Sequence, residues 1–111
     1  MVLNGGTLNG RRILGPDAIR FMTSNLTGDF TAGFAPGQGY GLGWGVTRDI
    51  KGAFRLSSVG SFGHGGAWRT YGWVDPAKDM FTILLMQRTN DGGDIADEIN
   101  AFLAMSTAAI L

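Results

Sequence analysis

The chain has 111 residues, 44% of them hydrophobic, with nine basic residues against nine acidic ones and zero formal net charge, which is room for one domain with a real core. It has no cysteine, so disulfides, thiolate metal sites and a cysteine nucleophile are excluded. The charges are scattered singly and the apolar runs are short, which argues against nucleic-acid binding, a polybasic membrane patch and a membrane span. No leader peptide is visible in the first residues, and the compartment stays open.

The nineteen glycines exceed the usual share and call for many turns and close backbone approaches. Met1-Val2-Leu3-Asn4-Gly5-Gly6 reads as the last turn of a helix followed by its glycine stop, an expectation that places further polypeptide upstream. Residues 7–14 carry Asn9-Gly10 between short flanks, the pair favoured in type I′ hairpin turns. Gly15-Pro16-Asp17 then opens a short helix ending near Ser24 or Asn25. Proline suits its first position, the Asp17 carboxylate faces the positive dipole end, and Ile19, Met22 and Leu26 form one stripe.

Residues 27–39 read as loop. Asn25-Leu26-Thr27 matches the glycosylation pattern, a short match that arises often by chance. Tyr40-Gly41-Leu42-Gly43-Trp44-Gly45-Val46 alternates large residues with glycine, and period two predicts a strand. After a turn at Asp49-Ile50-Lys51-Gly52, residues 54–59 read as a second strand reaching toward the histidine segment. Residues 71–74 and 80–87 flank an Asp75-Pro76 turn and predict a hairpin. Residues 80–86 are apolar on both faces and are expected to form a central, covered strand. Asp94 is expected to cap a closing helix with Ile95, Ile99, Phe102 and Leu103 on one stripe and Asp97 and Glu98 near its positive end. The order predicts an α+β fold, an antiparallel β-sheet flanked by a short N-terminal helix and a C-terminal helix, in a single domain over residues 1–111.

Chemistry concentrates in Ser61-Phe62-Gly63-His64-Gly65-Gly66-Ala67-Trp68, where glycines bare the backbone around the chain's one histidine. The plainer reading is a connector with a surface imidazole. Asp91, Asp94, Asp97 and Glu98 cluster at a helix start, where the dipole alone favours carboxylates, and no neighbouring histidine or cysteine completes a metal site. No cofactor is called for. Trp44 suits core packing, whereas Trp68 beside the glycine run suits a cleft wall.

Phe62-Gly63-His64-Gly65-Gly66-Ala67, followed by a strand, an Asp-Pro turn and an apolar strand, resembles the serine β-lactamase and penicillin-binding-protein-like superfamily, closest to its class C and esterase branch. Leu3-Asn4-Gly5-Gly6, Leu14-Gly15-Pro16, Tyr40-Gly41-Leu42-Gly43-Trp44, Trp73-Val74-Asp75-Pro76 and the last helix extend the similarity over nearly the whole chain, to the C-terminal part of that fold. The family carries a Lys-Thr-Gly triplet on a sheet-edge strand, with histidine for lysine in some members. The resemblance implies that His64-Gly65-Gly66 is this triplet. His64 would then orient substrate and tune the proton network, Gly65 and Gly66 would admit the acyl group, Trp68 would line the substrate cleft, and the Ala67 N–H would be one of two oxyanion donors.

The family's Ser-x-x-Lys and Tyr-x-Asn motifs are missing, since Arg48 and Asp75 stand three residues before Lys51 and Lys78. Ser61 and His64 keep that spacing, but on an extended strand they point to opposite faces. The implied function is the C-terminal segment of a β-lactamase-like serine hydrolase, inactive alone, that takes a small acyl substrate only when completed by an N-terminal portion. The alternative is a non-catalytic module binding a peptide or itself by strand addition along residues 64–72. An apolar strand edge at residues 80–87 predicts self-association into a homo-oligomer.

Overall fold

A computed structural model describes residues 1–31, 34–51, 56–88 and 95–110, with side chains in the closing helix described from Asp97 onward. The opening segment is a 3₁₀ turn, Val2–Asn4, stopped by Gly5 at φ 58°. Strands β1 (Thr7–Leu8) and β2 (Arg11–Arg12) pair antiparallel around Asn9 and Gly10, whose φ values of 49° and 76° are both positive, as a type I′ turn requires. Helix α1 (Pro16–Met22) starts on its proline and carries Asp17 in its first turn.

Ile19 is buried, but Leu26, expected on the same stripe, is exposed. The helix has already ended: Thr23 Oγ1 donates to Ile19 O at 2.8 Å and Ser24 Oγ to Phe21 O at 2.8 Å, so hydroxyls take the last carbonyls. The Asn-Leu-Thr triplet acts as a fastener. Asn25 Nδ2 donates to Gly28 O at 2.8 Å, Asn25 Oδ1 accepts from the Thr27 hydroxyl at 2.9 Å, and Thr27 Oγ1 accepts the Tyr40 N–H at 3.0 Å.

Five strands, β3 (Gln38–Tyr40), β4 (Gly45–Thr47), β5 (Phe62–Gly65), β6 (Tyr71–Asp75) and β7 (Met80–Leu84), form one antiparallel sheet in chain order. The expected α+β class is therefore observed. The single strand read over residues 40–46 is instead two strands and a reversal. Tyr40 pairs with Gly45, the Gly41 N–H bonds Trp44 O at 2.8 Å, and Gly43 turns at φ 79°. A Cβ on Gly41 would collide with Met22 O, so that glycine serves a close approach to α1 and its alternation with large residues is incidental.

Of the strand expected at residues 54–59, the first two lie outside the described residues. Residues 56–59 are irregular, pinned by the Ser58 N–H donating to Asp75 Oδ2 at 2.9 Å, and the strand begins only at Phe62. The predicted Asp-Pro link forms a 3₁₀ turn, Pro76–Lys78. Strand β7 is not central: it is the outer strand of the sheet, with Phe81 63% and Ile83 58% exposed. Its apolar character reads as covered on both faces, yet helix α2 (Ile95–Ala108) covers only the side of Thr82 and Leu84.

On that side Tyr71, Trp73, Ile99 and Leu103 form a core with Leu84 and Phe102 against it. On the other, Val46, Phe62 and Val74 pack with Val2, Leu3 and Trp44. Trp44 thus serves the core, edge-on to Phe62 at 5.5 Å. The Asp94 cap and the Ile95 side chain lie outside the described residues. No helix among the described residues is long and apolar enough to cross a membrane.

Candidate functional site

Strand β5 is flanked unequally. Its ladder to β4 covers only Phe62 and Gly63, opposite Val46 and Gly45, whereas its ladder to β6 continues to Gly65 opposite Tyr71. The triplet was expected on a sheet-edge strand, and β5 is the third of five. At His64 and Gly65, however, the β4 side has ended, so these two residues present an unladdered edge within the sheet and are exposed. Gly63 is needed for packing: a Cβ there would fall onto Gly72 O and the Trp73 ring. At Gly66 a Cβ would lie 2.5 Å from Thr70 Oγ1.

The Gly66 N–H bonds Thr70 O at 2.7 Å and the Arg69 N–H bonds Gly66 O at 2.9 Å. Ala67, Trp68 and Arg69 therefore form a three-residue hairpin loop closed by Arg69 at φ 66°. Ala67 lies in this turn, one residue beyond the triplet and past the end of β5. Ala67 is exposed, and its N–H finds no acceptor among the described residues.

His64 Nδ1 lies 2.5 Å from Gly65 O. A carbonyl only accepts, so Nδ1 is the donor in this contact, and Nε2 is the ring nitrogen left for another partner. The edge of Tyr40 faces the imidazole, with ring centroids 6.0 Å apart, and Phe34 stacks on Tyr40 at 5.7 Å. His64 borders two shallow cavities. One of about 120 Å³ is shared with Gln38, Tyr40, Gly65 and Tyr71, and one of about 230 Å³ with Thr70, Gly72, Ile83 and Leu85. Trp68 is 56% exposed and lines neither, so the cleft wall expected of it is not built by these two cavities. Tyr40 read from sequence only as a bulky strand residue, and no spacing ties it to His64.

Ser61 is fully buried, its Oγ 2.9 Å from Thr47 Oγ1, while His64 is exposed, which leaves no serine-histidine pair. The fold does create one serine-lysine contact that sequence spacing did not suggest: Lys78 Nζ donates to Ser58 Oγ at 2.7 Å and to Asp75 Oδ2 at 2.9 Å. With its ammonium paired to a carboxylate, Lys78 is placed as an ion-pair partner, not as a base that could activate Ser58. Burial pushes the Asp75 carboxyl up, but the Ser58 N–H, the Lys78 ammonium and the Ser58 hydroxyl together outweigh it, so Asp75 titrates below its ordinary value.

Among the described residues no three His, Asp or Glu side chains gather as a metal-ligand set. Glu98 instead pairs with Arg69 NH1 at 3.5 Å and with Arg88, while Asp91 and Asp94 lie outside the described residues.

The family model described as Beta-lactamase matches residues 2–106. Protein Rv1367c of Mycobacterium tuberculosis (strain ATCC 25618 / H37Rv) and Uncharacterized protein MT1414 of Mycobacterium tuberculosis (strain CDC 1551 / Oshkosh) are each 33% identical over 101 residues, which is 82% of this chain and 25% of theirs. The backbone also matches EstCE1, a hydrolase with promiscuous acyltransferase activity, at a TM-score of 0.75 and 22% identity, over 99% of this chain and 27% of that one. The chain spans about a quarter of the length of these relatives. With a family match over residues 2–106, and a backbone whose fold is that of the matched hydrolase, the chain belongs to the β-lactamase family.

Proposed function

We propose that residues 1–111 act as the C-terminal part of a β-lactamase-like serine hydrolase, supplying the substrate strand and one oxyanion donor to a nucleophile carried elsewhere in the protein. The substrate class is an acyl compound: a β-lactam, peptide or carboxylic ester. The observation that carries this reading is the open edge at His64 and Gly65, which leads to Ala67, an exposed residue whose N–H has no acceptor among the described residues.

As a hydroxyl attacks the acyl carbon, negative charge grows on the carbonyl oxygen. A backbone N–H fixed by a hairpin loop meets that charge with little reorganisation, and losing one such donor costs about 3–4 kcal/mol of barrier. His64 Nε2, with Nδ1 already committed to Gly65 O, serves as a hydrogen-bond partner for substrate or for the proton leaving the nucleophile. Gly65 and Gly66 keep side chains out of the acyl path. Trp68, exposed beside them, has a substrate role only against surface from the rest of the protein. Ser61 is sealed in the sheet and Ser58 is tied to an ion pair, so neither serves as the nucleophile in this reading.

The test is hydrolysis of nitrocefin and p-nitrophenyl butyrate by the chain alone and after mixing with the N-terminal three-quarters of its mycobacterial relative. Neither part is expected to turn over alone, and hydrolysis appears on mixing and is lost with His64→Ala. Turnover by the chain alone that disappears with Ser61→Ala would overturn the proposal.

A second reading, a non-catalytic module that adds strands, is favoured by the edge of β7 rather than by residues 64–72. Residues 64 and 65 are laddered to 72 and 71 on one side and open only on the short stretch past β4, whereas β7 is an outer strand along its whole length.

A further inference from the structure

Arg69 breaks a local rule. The third residue of a three-residue hairpin loop takes the left-handed conformation and is the place for glycine, yet here an arginine holds φ 66°. Such a conformation costs a non-glycine residue free energy and persists where its surroundings over-determine it. The surroundings are unusual for a hairpin tip. The arginine is only 2% exposed, and its NH1 lies 3.5 Å from Glu98 Oε2 in the first turn of α2. The other oxygen of Glu98 takes Arg88, on the segment leaving β7. The Arg88 N–H returns to the same loop, donating to Trp68 O at 3.3 Å. One carboxylate on the closing helix thus holds two guanidiniums, and both lead to the loop that carries Ala67.

We propose that Arg69 is a positioning residue, whose buried side chain anchors the 66–70 loop to Glu98 and thereby fixes the direction of the Ala67 N–H. The inference rests on the reading of Ala67 as an oxyanion donor, but the anchoring is measurable without it. A loop held by backbone bonds alone would fray at an exposed tip, and an oxyanion donor must not move as charge develops. Burying the guanidinium rather than extending it to solvent makes the loop part of the helix–sheet packing. It also makes α2, which touches neither cavity beside His64, a determinant of site geometry.

The experiment is amide hydrogen exchange by NMR on the full chain and on Arg69→Gly, Glu98→Gln and Arg69→Lys. Glycine accepts φ 66° better than arginine, so Arg69→Gly removes the anchor while relaxing the backbone. Arg69→Gly and Glu98→Gln are expected to speed exchange of the Gly66 and Arg69-position amides by about tenfold, with β6 amides unchanged, and Arg69→Lys to restore part of the protection. Unchanged loop exchange in both Arg69→Gly and Glu98→Gln overturns the proposal. So does a loss of protection that spreads equally over β5 and β6, which would make Arg69 a residue of the fold at large. If the loop loosens while hydrolysis by the complemented pair keeps its kcat, the anchor stands and the assignment of Ala67 as donor fails.

Discussion

The Asp75 carboxylate lies 2.9 Å from the Lys78 ammonium across the β6–β7 turn, with the aspartate side chain 1% and the lysine 23% exposed. The same Oδ2 accepts the Ser58 N–H at 2.9 Å, so one buried oxygen joins the hairpin turn to the irregular segment before β5. Asp75 titrates below its ordinary value in the folded chain, because the groups donating to it outweigh the upward push of burial. A lowered folded pKa contributes stability that is complete above the unfolded value, about 4, and is lost as pH falls through the folded one. Urea unfolding from pH 7 to 3 is expected to show a constant gap between wild type and Asp75→Asn above about pH 4 that closes at lower pH. Lys78→Met should cost about 2–3 kcal/mol at pH 7, as the loss of a hydrogen bond to a charged group does. A gap that widens on acidification would contradict this account.

Two glycines facing each other's strands should respond in opposite ways. A Cβ on Gly63 would strike Gly72 O and the Trp73 ring and lie 2.8 Å from Trp73 Cα, whereas one on Gly72 meets nothing within 4 Å. Because two of these obstacles are backbone, Gly63→Ala is expected to cost about 3 kcal/mol. Gly72→Ala is expected to be neutral or to stabilise by up to about 1 kcal/mol through the unfolded state. Urea midpoints of the two variants check this, and equal shifts would show that Gly63 is not a packing glycine.

What could be read from the residues divides along this distinction. The Asn9-Gly10 hairpin, the proline-started helix and the Ile99, Phe102 and Leu103 part of the α2 stripe follow from chemistry local to a few residues, and they form as expected. Glycine carries no such unambiguous sign. Gly41 and Gly43 make a reversal where alternation suggested a strand, while Gly63 lies in a real strand that was not delimited. Strand β7 has the composition of a covered strand, but composition does not say which neighbour covers it. Of the candidate site, His64 and the glycines after it are legible through their order and the family resemblance. The Tyr40–His64 ring contact and the Arg69–Glu98 bond join residues far apart in sequence, which no local spacing shows.

Ser61 separates a nucleophile from a packing group. Its Oγ is sealed in the sheet with the Thr47 hydroxyl, which is itself 3% exposed. Ser61→Ala leaves that hydroxyl without its partner and is expected to cost about 1–2 kcal/mol in urea unfolding. In the complemented hydrolase it should leave kcat unchanged. A large fall in kcat without loss of stability would return Ser61 to the list of reacting groups.

The outer edge of β7 predicts the behaviour of the chain in isolation. Phe81 and Ile83 are 63% and 58% exposed on an outermost strand, and Leu85, just past it, is 78% exposed. An unpaired apolar edge is a template for another strand, and proteins blunt such edges with lysine or proline. Here the nearest lysine, Lys78, is turned toward Asp75 and Ser58 and gives the edge no such guard. The 11.8 kDa chain is therefore expected to sediment as dimers or larger species as concentration rises. Ile83→Lys, placed on the exposed face, should shift it toward monomer without moving the urea midpoint by more than about 0.5 kcal/mol in stability. If wild type sediments only as monomer at millimolar concentration, the edge does not recruit a second copy.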